Sequence, residues 1–568
     1  MIDKYVLGIW DGHDAGAALI HRGNIVFAVN EERLSRRKLE VGFPVLSIGA
    51  SLAYAGIEPE AVTEVAFSTS DPAKTLTRLL PSLKEEYYLI RRRKRRSGKL
   101  DNLKKAFKYR LTEMGPNRLS RALTRQYASS ALNRVGFRNI HLTLWDHHRC
   151  HAETAARLSG FASCTVLTLD GVGDGLCGSV WRFGDNRLQN IKNIPAKVSL
   201  GIFFEHITNL MNMRELEDEG KVMALANYAF PVPDVENPLL KLFQTEGLDL
   251  VSKHRSVGLY RELKRVLWQY PSEQFAFMAQ RALEKATLTL VENALKTTGE
   301  PNIALAGGVF SNIKLNMKIE QKTQLKKIFV FPHMGDGGLA LGAAIGASHQ
   351  QTDSSRYVLK DLYTGPRFSE NQILSSLKQW HFPYEKLDDA SETAARLILN
   401  GEIILWFQGR MELGPRALGN RSILARPDNR EIKDRLNLVL KKRVWYQPFC
   451  PSMLLHDAPA ILEIEGRHIE SNRFMTTGFR VKRECLALMA GVTNIDGTCR
   501  PHFVGDENRV YRDLLINIKK TLGRGVILNT SFNIHGEPMV CTPDEAIDMF
   551  HRTQINHLFL ENFLVRKE

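Results

Sequence analysis

One pattern occurs twice in this sequence, and any fold has to accommodate both copies. VLGIWDGHDAGAALIHRGN (residues 6–24) reads as an apolar strand, an Asp/Gly turn, a second strand and a Gly turn. VLTLDGVGDGLCGSVWRFGDN (166–186), roughly 160 residues later, reads the same way. That interval is not a solenoid period. It predicts two related lobes whose Asp/Gly turns converge on one ligand in a cleft. The first copy runs on into a third strand over 25–30, so a hairpin meander opens the fold.

Two strand-to-helix junctions follow, IALAGGVFSNIKLNMKI (303–319) and IFVFPHMGDGGLALGAAIGA (328–347). Each places glycines where a strand ends and a helix begins. There, free backbone N–H groups and the helix dipole attract an anion such as a nucleotide phosphate. Gly307, Gly308 and Asn312 of the first junction are cofactor-binding candidates. After Ala347 the polar run SHQQTDSSRY reads as a linker, and a second α/β unit starts near Asp361. The expected domains are 1–350 and 351–568.

Of 568 residues, 43% are hydrophobic and 24% charged, a globular composition that excludes disorder as the main state. No uncharged apolar stretch reaches membrane-spanning length, and the amino terminus meets Asp11 and His13 before an apolar signal segment forms. Seven scattered cysteines with no C-x-x-C pair fit a reducing cytoplasm. The net charge of +15 is concentrated in one place: between 84 and 125, fifteen Lys and Arg face four acids. This stretch reads as an inserted, mostly helical basic arm. Its run 91–96 is either a solvated charged face or a landing site for a polyanion such as a phosphorylated glycan, an anionic lipid or RNA.

In WDHHRCHAETAARL, His147 and His151 are four apart in a helix-favouring run, so both imidazoles leave one face, as metal ligation requires. His148 points elsewhere. Asp336, in the turn HMGDGG, either caps a helix or completes a two-His, one-carboxylate set suited to iron(II), manganese or zinc. Asp11, His13 and Asp14 fill the first turn, with Lys38 downstream. A histidine beside carboxylates suits a general base for a hydroxyl acceptor, while Asp11 and Asp14 serve equally as turn caps. In GRMELGPRALGNRS, Arg410, Arg416 and Arg421 lie on stiff Gly/Pro-shaped backbone, with Lys441, Arg443 and Arg500 downstream, an arrangement suited to phosphate.

Most of those residues lie in motifs that resemble, over nearly the whole chain, the NodU/CmcH-type O-carbamoyltransferases, tobramycin carbamoyltransferase among them: GIWDGHDAGAAL with EERLSRRK, DHHRCHAETAA, LDGVGDG, EDEGKVMALANY, ALAGGVFSN, PHMGDGGLALGAA, GRMELGPRALGNRSI and ILNTSFNIHGEP. The resemblance implies an α/β protein with a duplicated actin-like ATPase-fold N-terminal lobe and a C-terminal YrdC-like lobe. It implies that the second lobe makes carbamoyl-adenylate from carbamoyl phosphate and ATP with Mg, and that the first passes the carbamoyl group to a hydroxyl. By the same resemblance His147, His151 and Asp336 hold Fe(II) or another divalent metal; His13, Asp14 and Lys38 serve transfer; and Arg416, Arg421, Lys441, Arg443, Arg500, Asn529 and Ser531 line the adenylation site.

The family pattern K-x-R-E-x-F-R-P-F-A-P-S carries Glu and Arg where this chain has Val444 and Gln447, and A-D-P has become A-R-P with Arg426. A lost carboxylate, a lost cation and a gained arginine mean a compensated or a weakened adenylation site. Three functions follow as expectations. The leading one is a carbamoyltransferase acting on a small molecule or sugar, with an anionic glycan or lipid-linked acceptor, no stable nucleic-acid partner and a homodimer in prospect. The others are an RNA-modifying relative and a scaffold that binds nucleotide without turnover.

Overall fold

The computed structural model describes residues 5–95, 110–322, 325–351 and 357–567. The chain divides into two units, one of residues 1–31 and 39–359, the other of 32–38 and 360–568. Both are mixed α/β.

The first unit contains two five-stranded sheets of one design. Strands β1 (Tyr5–Trp10), β2 (Gly16–His21), β3 (Asn24–Asn30), β4 (Val62–Ser68) and β5 (His141–Trp145) lie in the order β3-β2-β1-β4-β5. The first three form an antiparallel meander, and β4 and β5 run parallel to β1. Strands β6 (Cys164–Gly173), β7 (Leu176–Gly184) and β8 (Arg187–Pro195) form a second meander. A hairpin, β9 (Gln244–Glu246) and β10 (Asp249–Val251), intervenes before β11 (Asn302–Ala306) and β12 (Lys327–Val330) extend that sheet in parallel. Its order, β12-β11-β6-β7-β8, reproduces the first. The repeated motif therefore marks a repeated topology. Its second copy also has the third strand, β8, which sequence reading left out.

Helices His147–Leu158 and Leu339–Gln351 pack closely between these elements: a Cβ on Gly342 would sit 2.1 Å from the Cys150 carbonyl oxygen. Residues 348–351, expected in the linker, continue the second helix, and Ser348 is buried there. The remainder of that linker, 352–356, lies outside the described residues.

The first two residues of the basic run depart from both sequence readings. Arg91, at the end of helix Pro81–Arg91, pairs with Glu205 and with Glu215 at 2.5 Å, and Arg92 pairs with Glu217 at 2.5 Å. Arg93 donates to the carbonyls of Asn209 (2.6 Å) and Met213 (3.1 Å). Arg91 and Arg92 are therefore neither a solvated face nor a landing strip, because carboxylates of the segment 205–217 already hold them, whereas Arg93, Lys94 and Arg95 are exposed. Arg96 and the residues to 109 lie outside the described residues.

The second unit is built on eight strands: β13 (Tyr384–Lys386), β14 (Ile404–Phe407), β15 (Arg421–Ala425), β16 (Cys450–Leu454), then β19 (His502–Val504), β20 (Val526–Ser531), β21 (His557–Leu560) and β22 (Phe563–Arg566). Their order is β13-β22-β21-β14-β15-β20-β16-β19, and β17 (Phe479–Arg480) and β18 (Thr498–Cys499) pair separately. Alternation along β14 explains the layers. Ile404 and Trp406 pack with helices Ala390–Leu399 and Arg509–Leu522, whereas Leu405 and Phe407 pack with Glu370–Gln379 and Pro543–Arg552. Among the described residues, no helix is long and apolar enough to cross a membrane.

Candidate active site

The helix His147–Leu158 starts at a fixed point because a distant side chain caps it: the Asp174 carboxylate accepts from the backbone N–H groups of His147 (2.8 Å) and Ser70 (2.9 Å). Thr69 Oγ1 lies 3.2 Å from His147 Nδ1 and sets that ring, so its Nε2 faces two carboxylates, 3.2 Å from Asp170 Oδ2 and 3.4 Å from Asp336 Oδ1. His151, one turn on, brings its Nε2 to 3.4 Å and 3.8 Å from the same oxygens. His147, His151 and Asp336 are therefore brought together as the sequence suggested. His148 points away, with Nδ1 2.8 Å from Thr168 Oγ1, and burial and the neighbouring histidines depress it to about 3.

Sequence reasoning missed the fourth member of this group, Asp170. The signal was available, since Asp170 opens the Asp/Gly turn of the second repeat. Its Oδ1 accepts from the Gly308 N–H at 3.0 Å, so this junction amide serves the protein's own carboxylate rather than a phosphate. Gly307 permits the approach: its φ is +103°, and a Cβ there would lie 2.1 Å from the Leu169 carbonyl oxygen. Asn312 caps helix Ile313–Glu320, accepting from Leu315 N–H at 3.1 Å, and exchanges hydrogen bonds with Gln280. The equivalent turn in the first repeat has diverged. Its Asp11 is fully buried and paired twice, at 2.8 Å, with Arg78.

The four donors, one atom each from His147, His151, Asp170 and Asp336, lie within 4.8 Å of one another. Two observations test whether they suit a cation. The His151 Nε2 is buried and has no hydrogen-bond partner, and two carboxylates face each other across the same small space. Burial opposes charge on His147, yet Asp336 and Asp170 raise it to about 10. A proton on that ring is a partial stand-in for a cation. The residues fit a divalent metal, and two imidazoles with two carboxylates suit iron(II), manganese or zinc.

His13 adjoins this group, its Nδ1 3.5 Å from Asp336 Oδ2 and 3.4 Å from the Tyr88 hydroxyl. Burial depresses the His13 imidazole to about 4, so it is neutral at ordinary pH. Asp14, in the left-handed region at φ +59°, offers its carbonyl oxygen to Asn30 Nδ2 at 3.0 Å, and Asn30 Oδ1 meets His333 Nε2 at 2.9 Å. Lys38 belongs to the other unit, where its charge acts on Lys441.

A second cluster lies within the C-terminal unit. Arg500, after β18, donates from Nε and Nη2 to Cys450 Sγ at 3.2 and 3.0 Å. Burial and the Arg500 charge lower Arg416 to about 9, and burial lowers Arg443 to about 10. Arg443 Nη2 is buried without a hydrogen-bond partner, and among the described residues no carboxylate pairs with any of the three. Arg443 Nε donates to Asn437 Oδ1 at 2.6 Å, and the other candidates here are also engaged within the protein. Arg421 stacks on Phe407 at 3.5 Å and donates to the carbonyls of Gln408 (2.6 Å) and Asn420 (3.0 Å). Lys441 donates to the Ser531 carbonyl and to Asn533 O and Oδ1; Ser531 Oγ bonds Asn533; Asn529 bonds Ala417 O and Ser452 Oγ. Arg426 is paired with Asp428 at 2.6 Å and donates to the Leu399 carbonyl at 2.8 Å.

Family models for the carbamoyltransferase N-terminus and C-terminus match residues 5–345 and 395–567. The chain belongs to the carbamoyltransferase family. This carbamoyltransferase is 32% identical to Nodulation protein NolNO of Sinorhizobium fredii, over 98% of its own length and 79% of the relative's. It is 31% identical to an uncharacterised protein of Methanocaldococcus jannaschii, over 99% of both chains. It is 29% identical to the 3'-hydroxymethylcephem-O-carbamoyltransferase of Streptomyces clavuligerus, over 63% of its length and 68% of the relative's.

Proposed function

We propose that this carbamoyltransferase forms carbamoyl-adenylate and then carbamoylates a hydroxyl of a small molecule or sugar. The observation that carries the reading is the convergence of His147, His151, Asp170 and Asp336 beside the neutral His13. The twin five-stranded sheets support an actin-like ATPase fold for the first unit. The eight-stranded mixed sheet and the three arginines without carboxylate partners support a YrdC-like adenylating role for the second.

In the second unit, Arg416, Arg443 and Arg500 bind the phosphate groups of carbamoyl phosphate and Mg-ATP. Guanidinium groups without carboxylate partners gain charge-assisted hydrogen bonds from an arriving anion. Water cleaves carbamoyl phosphate to carbamate and phosphate; the carbamate oxygen attacks the α-phosphorus of ATP, and pyrophosphate leaves. In the first unit, His147, His151, Asp170 and Asp336 would hold a divalent ion, iron(II) in the family reading, which would supply positive charge to stabilise the departing phosphate. His13 accepts the acceptor's hydroxyl proton at Nε2 as the acceptor oxygen bonds the carbamoyl carbon and AMP departs. Lys38 and Asp14 remain candidates for orienting the reactants. Seven free, buried cysteines are in keeping with a cytoplasmic enzyme.

The RNA-modifying alternative needs the arginines of the basic arm for phosphate, and Arg91 and Arg92 are held by carboxylates. The test of the main reading is pyrophosphate release from ATP and carbamoyl phosphate by the purified protein, with metal content measured in parallel. Asp170→Asn is expected to lose bound metal and AMP release by at least tenfold while still releasing pyrophosphate in a single-turnover burst. A wild-type protein that releases no pyrophosphate under any divalent metal sinks the proposal.

A further inference from the structure

His13 has two ring nitrogens, and the protein addresses one of them. Nδ1 lies 3.5 Å from Asp336 Oδ2 and 3.4 Å from the Tyr88 hydroxyl, and the two rings lean together with centroids 5.4 Å apart. Among the described residues none hydrogen-bonds Nε2. An ionised carboxylate only accepts, and a phenol oxygen accepts as readily as its proton donates. Both neighbours are therefore satisfied when Nδ1 carries the hydrogen, which leaves the lone pair on Nε2. Burial pushes the Tyr88 hydroxyl far up, so it keeps its proton.

Tyr88 is held in this position by its own helix. Three residues on, Arg91 bridges Glu205 and Glu215, and both the guanidinium and Glu215 are nearly buried, with 10% and 1% of their side chains exposed. Arg92 follows with Glu217. Losing one partner of a bridge this enclosed leaves a charge uncompensated, so the helix resists displacement in a way a surface pair does not ensure. The helix opens the segment that carries much of the chain's positive charge. Its arginines anchor it, and its tyrosine faces the reaction centre.

We propose that Tyr88 is a positioning residue for carbamoyl transfer: its hydroxyl and Asp336 fix the His13 ring so that Nε2 faces the acceptor, and Arg91 holds Tyr88 in place. This rests on the reading of His13 as the base. During transfer the acceptor proton moves to Nε2, the acceptor oxygen bonds the carbamoyl carbon, the bond from that carbon to the AMP oxygen breaks, and Tyr88 neither gains nor loses a proton.

The test compares wild type with Tyr88→Phe, which keeps the ring, in the full-length protein. Pyrophosphate release, measured throughout as the single-turnover burst that precedes transfer, reports adenylation. AMP release to water or to methyl glucoside as a probe acceptor reports transfer. Tyr88→Phe is expected to lower kcat for AMP release roughly ten- to hundredfold, with KM for the probe, pyrophosphate release and metal content unchanged. In the metal-free protein, nitrogen NMR of the His13 ring, assigned by its loss in His13→Gln, is expected to show Nδ1–H in wild type and a tautomer mixture in Tyr88→Phe. Wild-type kcat in the variant, an unchanged tautomer, or a fall in pyrophosphate release equal to that in AMP release overturns the proposal. Absence of pyrophosphate release by the wild type refutes the carbamoyltransfer reading instead.

Discussion

At the scale of single residues, the same kinds of group do opposite work according to what surrounds them. Asp11 and Asp170 open the Asp/Gly turns of two repeats. The first is neutralised by Arg78, and the second faces two imidazoles. His147 and His148 are adjacent, yet the first is raised to about 10 by carboxylates that outweigh its burial, while the second is lowered to about 3 by burial and its histidine neighbours. Glu219, in the motif EDEGK, shows how such environments affect stability. Burial and the Glu205 charge raise its carboxyl to about 8 from about 4.5. The folded state thus binds this proton more tightly than the unfolded chain. The associated stability is full below about pH 4.5 and is lost as pH rises through about 8. Glu219→Gln keeps an acceptor for the Leu216 N–H, at 2.7 Å from the carboxylate in the wild type, and removes the titration. Its melting temperature is expected to fall less than that of the wild type across that interval; parallel curves would refute the assignment.

At the scale of elements, helices and strand ends decide which charges meet. The i, i+4 spacing of His147 and His151 sufficed to place two imidazoles on one face, because that consequence of the helical repeat is local. The arginine candidates were less legible. Arg416 and Arg421 are five apart, yet Arg421 begins β15 and donates to nearby carbonyls, while Arg416 shares an environment with Arg443 and Arg500. Sequence spacing does not report which backbone carbonyls point at a guanidinium. This separation has a consequence for substitution. Arg416→Met is expected to raise KM for carbamoyl phosphate about tenfold or more without lowering the melting temperature, because it removes a buried like-charge neighbour rather than half of a pair. Arg421→Met is expected to destabilise, since Arg421 supports surrounding carbonyls. Calorimetry alongside KM measurements separates the two, and equal destabilisation would contradict this division of roles.

At the scale of the whole molecule, the chain is not divided at a single cut. Residues 32–38 belong with 360–568: Arg33 donates to the Gly414 carbonyl at 2.9 Å, Arg36 to the Met539 carbonyl at 2.5 Å, and Leu34 packs on Met411, Ala417, Met539 and Cys541. A fragment of 360–568 leaves these carbonyls and this apolar surface exposed. A peptide of residues 32–38 is expected to bind the fragment and raise its melting temperature; no shift at saturating peptide would show that the segment contributes nothing to the unit. Turn chemistry, strand alternation and the spacing of like residues were enough to read the repeated strand–turn–strand motif, the α/β class, the two-histidine helix and the family, because each depends on neighbours close in the chain or on motifs carried whole. The folded structure was needed to bring Asp170 to His147 and Asp336, to pair Arg91 with Glu205 and Glu215, to set Tyr88 beside His13 and to join residues 32–38 to the second unit. Those choices depend on electrostatics and packing between segments far apart in sequence, where burial determines whether a charge is neutralised, left to bind an ion or held against a carbonyl.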